Sequence, residues 1–121
     1  ILGYSIGNDV TARDLQPKHG QWTVCKGFDT FLPYGPVIET EIDPEALSIR
    51  TLLNGEEKQS SNTKNLIFDC ATLVSYISQV MTLLPGDIIL TGTPSGIGPM
   101  QTGDSVSVEI EGIGTLTNTV Q

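Results

Sequence analysis

Basic residues are scarce in this sequence. Six Lys and Arg stand against fourteen Asp and Glu, for a formal net charge of -8, and a field of that sign repels a phosphate backbone or an anionic bilayer. Neither nucleic acid nor a membrane surface is an expected partner. Long apolar runs are also missing. The longest, Leu83-Leu84 through Ile88-Ile89-Leu90, is broken by Pro85, Gly86 and Asp87, well short of the roughly 20 residues of a spanning helix. Only two cysteines occur, Cys25 and Cys70, too far apart for a CxxC pair and too few for a disulfide framework or a structural zinc site. They read as small buried apolar residues, and two unpaired thiols suit a reducing cytoplasm. The single histidine, His19, lies in the polar loop Pro17-Lys18-His19-Gly20-Gln21. It reads as a solvated loop residue, because no Ser/His/Asp or Cys/His constellation accompanies it.

What is present fits one compact domain with a modest core: 121 residues, 38% of them hydrophobic. Thirteen glycines and seven prolines punctuate short segments of alternating polarity, which is the pattern of β-strands. In Ser105-Val106-Ser107-Val108-Glu109-Ile110, the Val and Ile residues face a core and the polar residues face water. Gly112 to Gly114 supplies a turn into a returning strand, Thr115 to Val120. A second hairpin is expected from Leu47 to Gln59, because Asn54-Gly55 readily adopts the positive φ angles of a type I′ turn. One stretch has helical spacing instead: Leu73, Tyr76, Ile77, Val80 and Leu84 between Asp69 and Pro85. Asp69 is the expected N-cap, with Phe68 and Leu73 as a hydrophobic staple, and Pro85-Gly86 the stop. The expected fold class is therefore β-rich with one substantial helix.

Three segments have the residue types for chemistry. Gly7 to Gln16 follows a β-like stretch, and were it helical, Asp9, Arg13 and Gln16 would share a face. A carboxylate, a guanidinium and an amide there can hold a hard cation, a substrate carboxylate and a carbonyl oxygen. The plainer reading is a helix cap, with Asp9 paired to Arg13. Lys26 sits among Trp22, Cys25 and Phe28, where partial burial suits either a proton carrier or a fixed positive charge facing an enolate, or a lysine whose stem covers a ring. Leu90 to Gly98 reads as a strand running into a Gly-rich turn. Its spacing fails the GxGxxG and P-loop patterns, leaving an anion nest built on Thr91, Thr93 and Ser95, or a simple turn. The ExE pairs Glu39/Glu41 and Glu109/Glu111 put two carboxylates on one strand face, as chance pairs in an acidic chain also do.

The segments GNDVTARDLQ (7–16), WTVCKGFDTFLPYGP (22–36), the Asn-Gly hairpin, LLPGDIILTGTPSGIGP (83–99) and GDSVSVEIEGIGTL (103–116) together resemble the fumarylacetoacetate hydrolase family, in the same order and from end to end. The resemblance implies a domain of rolled mixed β-sheets, of which residues 1–121 would be the C-terminal part. It also implies a homodimer, bound Mg²⁺ or Mn²⁺, and 2-oxo or 2-hydroxy-dienoic acid substrates. Hydrolysis of carbon-carbon bonds in acylpyruvate-type acids is the leading expectation, with isomerisation or decarboxylation the alternative. By the same resemblance Asp9 is the metal ligand, Lys26 the catalytic group beside the metal, and Arg13, Gln16 and Thr93 bind substrate. It promotes none of the four ExE glutamates. The family's other metal carboxylates, an ExE pair, and the His/Glu pair that activates water lie upstream of the Asp9 segment. The first residue is Ile1 rather than Met, so an upstream segment is expected, and these 121 residues alone are expected to be inactive or weakly active.

Overall fold

In the computed structural model, which describes residues 1–121, six strands form two antiparallel sheets. Strands β1 (Tyr4–Gly7) and β2 (Tyr34–Glu39) make a small two-stranded sheet. Strands β3 (Ser48–Leu53), β4 (Glu56–Asn62), β5 (Ser105–Ile110) and β6 (Gly114–Thr119) make a four-stranded one in the order β4-β3-β5-β6. Of the two α-helices, α1 (Thr23–Lys26) and α2 (Cys70–Ser78), only α2 is longer than a single turn. The fold is β-rich with one substantial helix, as the alternation implied.

The turn chemistry explains the larger sheet. Asn54 and Gly55 have φ angles of 53° and 82°, the two positive values that match a tight turn to the right-handed twist of β3 and β4. Asn54 also ties that turn to β5: its Nδ2 donates to Asp104 Oδ1 at 2.8 Å and its Oδ1 accepts from Ser105 N at 2.9 Å. β5 then pairs with β3 from Ile49↔Ile110 to Leu53↔Val106. Val106 and Val108 are buried, whereas Ser105 is exposed and Glu109 only half-buried. β1 packs across this sheet through Ile6, which is fully buried against Val108 and Ile113, with Tyr4, Ile42, Ile110 and Leu116 around them.

That core is small. Five residues are buried, Cys25 being the one outside the strands and their turn. The accessible surface is 8647 Å², whereas a compact monomer of 13.0 kDa exposes about 6,300 Å². Much of the excess is apolar: Ile67 is 90% exposed, and Leu2, Val24, Tyr76 and Val80 are each 70% or more. No helix is long and apolar enough to cross a membrane.

Three local expectations need correction. α2 does begin at Asp69, whose Oδ1 accepts from Thr72 N at 2.6 Å, but it ends at Ser78, well before Pro85. Val80 N bonds back to Ile77 O at 2.9 Å, which tightens the last turn. The second half of the apolar stripe has nothing to pack on, and packing supplies most of a helix's stability. Leu84 is also drawn away from helix by Pro85, and its N–H is taken by Asp87 Oδ2 at 2.8 Å. Next, residues 8–12 form neither helix nor strand, Val10 N bonding back to Asn8 O at 3.0 Å, and a 3₁₀ turn spans only Arg13–Leu15, so Asp9, Arg13 and Gln16 share no helical face. Finally, residues 88–95 form no strand, because no neighbouring strand pairs with them.

Candidate active site

Asp9 and Lys26 meet because the backbone of residues 8–12 is fastened at both ends. Asn8 N donates to Pro33 O at 3.1 Å, and Ala12 N donates to Cys25 O at 2.8 Å. Cys25 is fully buried, and its Sγ donates to Trp22 O at 3.0 Å. The cysteine is thus the anchor of α1, and its neighbour Lys26 projects from the end of that turn. Lys26 Nζ reaches Asp9 Oδ2 at 2.5 Å and Thr11 Oγ1 at 3.0 Å. The Thr11 hydroxyl donates to Asp9 O at 3.1 Å. One cation therefore faces one carboxylate and one hydroxyl, both carried by a short strap. The two charged side chains are 31% and 43% exposed, so the pair is open to an incoming small molecule.

The other expected residues form separate groups. Arg13 does not pair with Asp9; its Nη1 donates to Gln16 Oε1 at 2.5 Å. Thr93 accepts from Gln59 Nε2 at 2.8 Å. The segment carrying Thr93 does come back to the strap. A Cβ on Gly7 would lie 3.1 Å from Leu90 Cδ2, so Leu90 packs on the chain two residues before Asp9. Thr11 and Gln59 were not among the expected site residues. Thr11 occupies the hydroxyl position of the segment that carries Asp9, which is a usable signal. Gln59 has none, because only the fold brings it to Thr93.

The charged groups away from this pair hold the scaffold together. Glu109 binds Arg50 at 2.6 Å, and that contact raises the guanidinium pKa. Glu111 accepts from Ser48 N at 3.1 Å, which lowers its own pKa. Glu39 accepts from Glu41 N at 2.9 Å. The carboxylates of Glu39, Glu109 and Glu111 thus serve strands and turns. His19 is exposed in its loop. Cys70 is half-buried rather than buried; burial, with the Asp69 carboxylate next to it, pushes its thiol up. Both cysteines are free thiols.

An open groove of about 560 Å³ runs between β1 and residues 83–92, walled by side chains such as Ile6, Ile38, Leu47, Leu83 and Ile89. Near the candidate site it is lined by Gly7, Tyr34, Leu90, Thr91 and Gly92. Its walls are mostly apolar and lack convergent polar groups, so it is an uncovered part of the core. Mg²⁺ wants octahedral oxygen coordination. Asp9 offers one carboxylate, and nowhere do three His, Cys, Asp or Glu side chains converge. The donors within these 121 residues therefore do not make a complete metal site.

This β-rich scaffold, with a lysine set against an aspartate, can be placed among known proteins. The family model for the fumarylacetoacetate (FAA) hydrolase C-terminal domain matches residues 1–121, and the chain belongs to that family. Protein Rv2993c of Mycobacterium tuberculosis is 58% identical over 99% of this chain and 46% of its own length. The mitochondrial oxaloacetate tautomerase Fahd2a of Rattus norvegicus is 44% identical over 99% of this chain and 42% of its own. Among solved structures, 5-carboxymethyl-2-hydroxymuconate delta-isomerase from Mycobacterium smegmatis superposes with a TM-score of 0.95 at 59% identity, covering 98% of this chain and 47% of that one. A fumarylacetoacetate hydrolase from Exiguobacterium antarcticum does so with 0.94 at 48% identity, covering 99% and 47%. The chain spans about half the length of the relatives it matches. Relatives in the family are enzymes, among them isomerases, tautomerases and hydrolases.

Proposed function

We propose that this chain forms the enolate-handling part of an enzyme that isomerises 2-oxo or 2-hydroxy-dienoic acids. The observation that carries the reading is the contact of Lys26 Nζ with Asp9 Oδ2 at 2.5 Å. It holds a cation at an exposed site within reach of a small anion. In the reaction a proton leaves the carbon beside the 2-oxo group, its bonding pair becomes the C=C bond of the enolate, and the carbonyl π pair moves onto the 2-oxygen. A proton then returns to that oxygen or to a carbon further along. Only C–H and O–H bonds exchange, so no oxidant or reductant is needed. Lys26 offsets the charge that develops on the 2-oxygen or delivers the proton there, Arg13 and Gln16 orient the substrate carboxylate, and Thr93 donates to a substrate oxygen. Mg²⁺ or Mn²⁺ is the cofactor of this proposal, and holding it takes carboxylates beyond Asp9. The protein is proposed to work as a homodimer, a point that light scattering checks.

Support for proton transfer comes from the chain's own lysine, Lys26, held beside Asp9 and Thr11. It comes also from the similarity to a tautomerase and an isomerase. Hydrolysis of an acylpyruvate-type carbon-carbon bond is the second reading, supported by the similarity to a fumarylacetoacetate hydrolase. The test follows oxaloacetate enol-to-keto conversion and acylpyruvate cleavage separately with Mg²⁺. Tautomerisation without cleavage is the expected result. Cleavage at a comparable rate favours the second reading, and neither activity overturns both.

A further inference from the structure

β4 contains a bulge whose purpose the sheet does not explain. Thr51 pairs with Gln59 but Leu52 pairs with Glu57, so Lys58 is the extra residue, and a bulge of this kind re-aims the side chain next to it. Here the Gly-rich turn is fitted against the irregularity. Gly96 has a φ of 102°, and a Cβ built on it would lie 2.0 Å from Lys58 O and 3.2 Å from Gln59 Cγ. Only glycine allows that approach. From this position Gln59 Nε2 reaches two acceptors, Thr93 Oγ1 and Pro94 O, each at 2.8 Å.

The second acceptor fixes the direction of the first bond. A peptide carbonyl oxygen can only accept, so the amide NH₂, and not the amide oxygen, faces Pro94 O. The other N–H of the same nitrogen goes to Thr93 Oγ1. The threonine oxygen is then an acceptor toward Gln59, and its own proton points elsewhere, with no protein group receiving it. A hydroxyl so held is a pre-set donor, which suits an oxygen that carries or gains negative charge.

We propose that Gln59 is a positioning residue that locks the Thr93 hydroxyl as a hydrogen-bond donor toward a substrate oxygen. The inference rests on the proposed enolate chemistry, and it goes beyond that reading by naming the group that sets the polarity of the turn. Gln59→Leu removes the amide, Gln59→Asn shortens it beyond reach of Thr93, and Gln59→Glu offers an acceptor that would take the threonine proton. In the intact enzyme with Mg²⁺ and oxaloacetate, Gln59→Leu and Gln59→Asn should each lower kcat/KM about tenfold, the scale of one lost hydrogen bond. Gln59→Glu should do worse than either, with the melting temperature of all three near that of wild type.

The decisive comparison is a double-mutant cycle. If Gln59 acts through Thr93, adding Gln59→Leu to Thr93→Val costs nothing further. Additive losses, or no loss from Gln59→Leu and Gln59→Asn in an enzyme that Thr93→Val impairs, overturn the inference while leaving the enolate reading intact. An enzyme that neither turns over oxaloacetate nor binds oxalate with Mg²⁺ in calorimetry sinks the enolate reading, and this inference with it.

Discussion

Lys26 and Asp9 are 17 residues apart in sequence and share a 2.5 Å contact, made because Ala12 is hydrogen-bonded to Cys25 one residue before the lysine. An ion pair this exposed contributes only about 0–1 kcal/mol to folding. Losing either partner should therefore affect chemistry far more than stability.

That gives the first prediction. Asp9→Ala and Lys26→Ala should each reduce kcat/KM for a 2-oxo acid by about 10²-fold or more, the scale of a positioned acid-base group, with little change in melting temperature. Lys26→Arg keeps the charge but not the compact ammonium that fits between Asp9 and Thr11, so it should not restore the rate. Steady-state kinetics with oxaloacetate and an acylpyruvate check this; full activity in either alanine variant removes the residue from the mechanism.

Metal affinity provides a second check. With one carboxylate at the site and no cluster of further ligands, the 121-residue chain should show no micromolar binding of Mg²⁺ in calorimetric titration. Saturation in that range would mean that Asp9 is joined by donors the geometry does not bring together.

The small core makes stability unusually concentrated. Ile6 is fully buried at the junction of the two sheets, and Ile6→Ala should cost about 3 kcal/mol in urea unfolding. Ile67 is 90% exposed, and Ile67→Ala should change stability by less than about 0.5 kcal/mol. Equal effects would mean that Ile67 is covered in the assembled protein.

Acid should unfold the protein through three carboxylates. Asp69 is held below its ordinary 3.8 by its bond from Thr72, Asp104 below 3.8 by Asn54 and Gln101, and Glu111 below 4.5 by Ser48. A group whose folded pKa is depressed contributes stability above its unfolded pKa and loses it as pH falls through the folded value. The melting temperature should therefore drop as pH falls from about 4.5 through 3.8 and below. Asp104→Asn should flatten that dependence while lowering the neutral-pH value.

Much of the scaffold could be read directly. Alternation identified β5, Asn54-Gly55 the hairpin, and Asp69 the start of α2, because each rests on contacts within a few residues. The end of α2 could not be read. Tyr76 and Val80 have the spacing of a buried face, yet they lie exposed, and periodicity does not say whether a surface exists to receive it. The Asp9 segment could not be read for a related reason: its i, i+4, i+7 spacing counts only in a helix, and the bonds to Pro33 and Cys25 hold it out of one.

The sequence by itself determined the family, the acidic character and the residue types of the site, since composition and motif order need no coordinates. Which of those residues meet was decided by the tertiary structure. Lys26 reaches Asp9 through a backbone bond to a buried cysteine, and Gln59 reaches Thr93 through a bulge in β4. Both contacts span many residues, and such distances close only when sheets and turns pack, a step that local patterning does not encode.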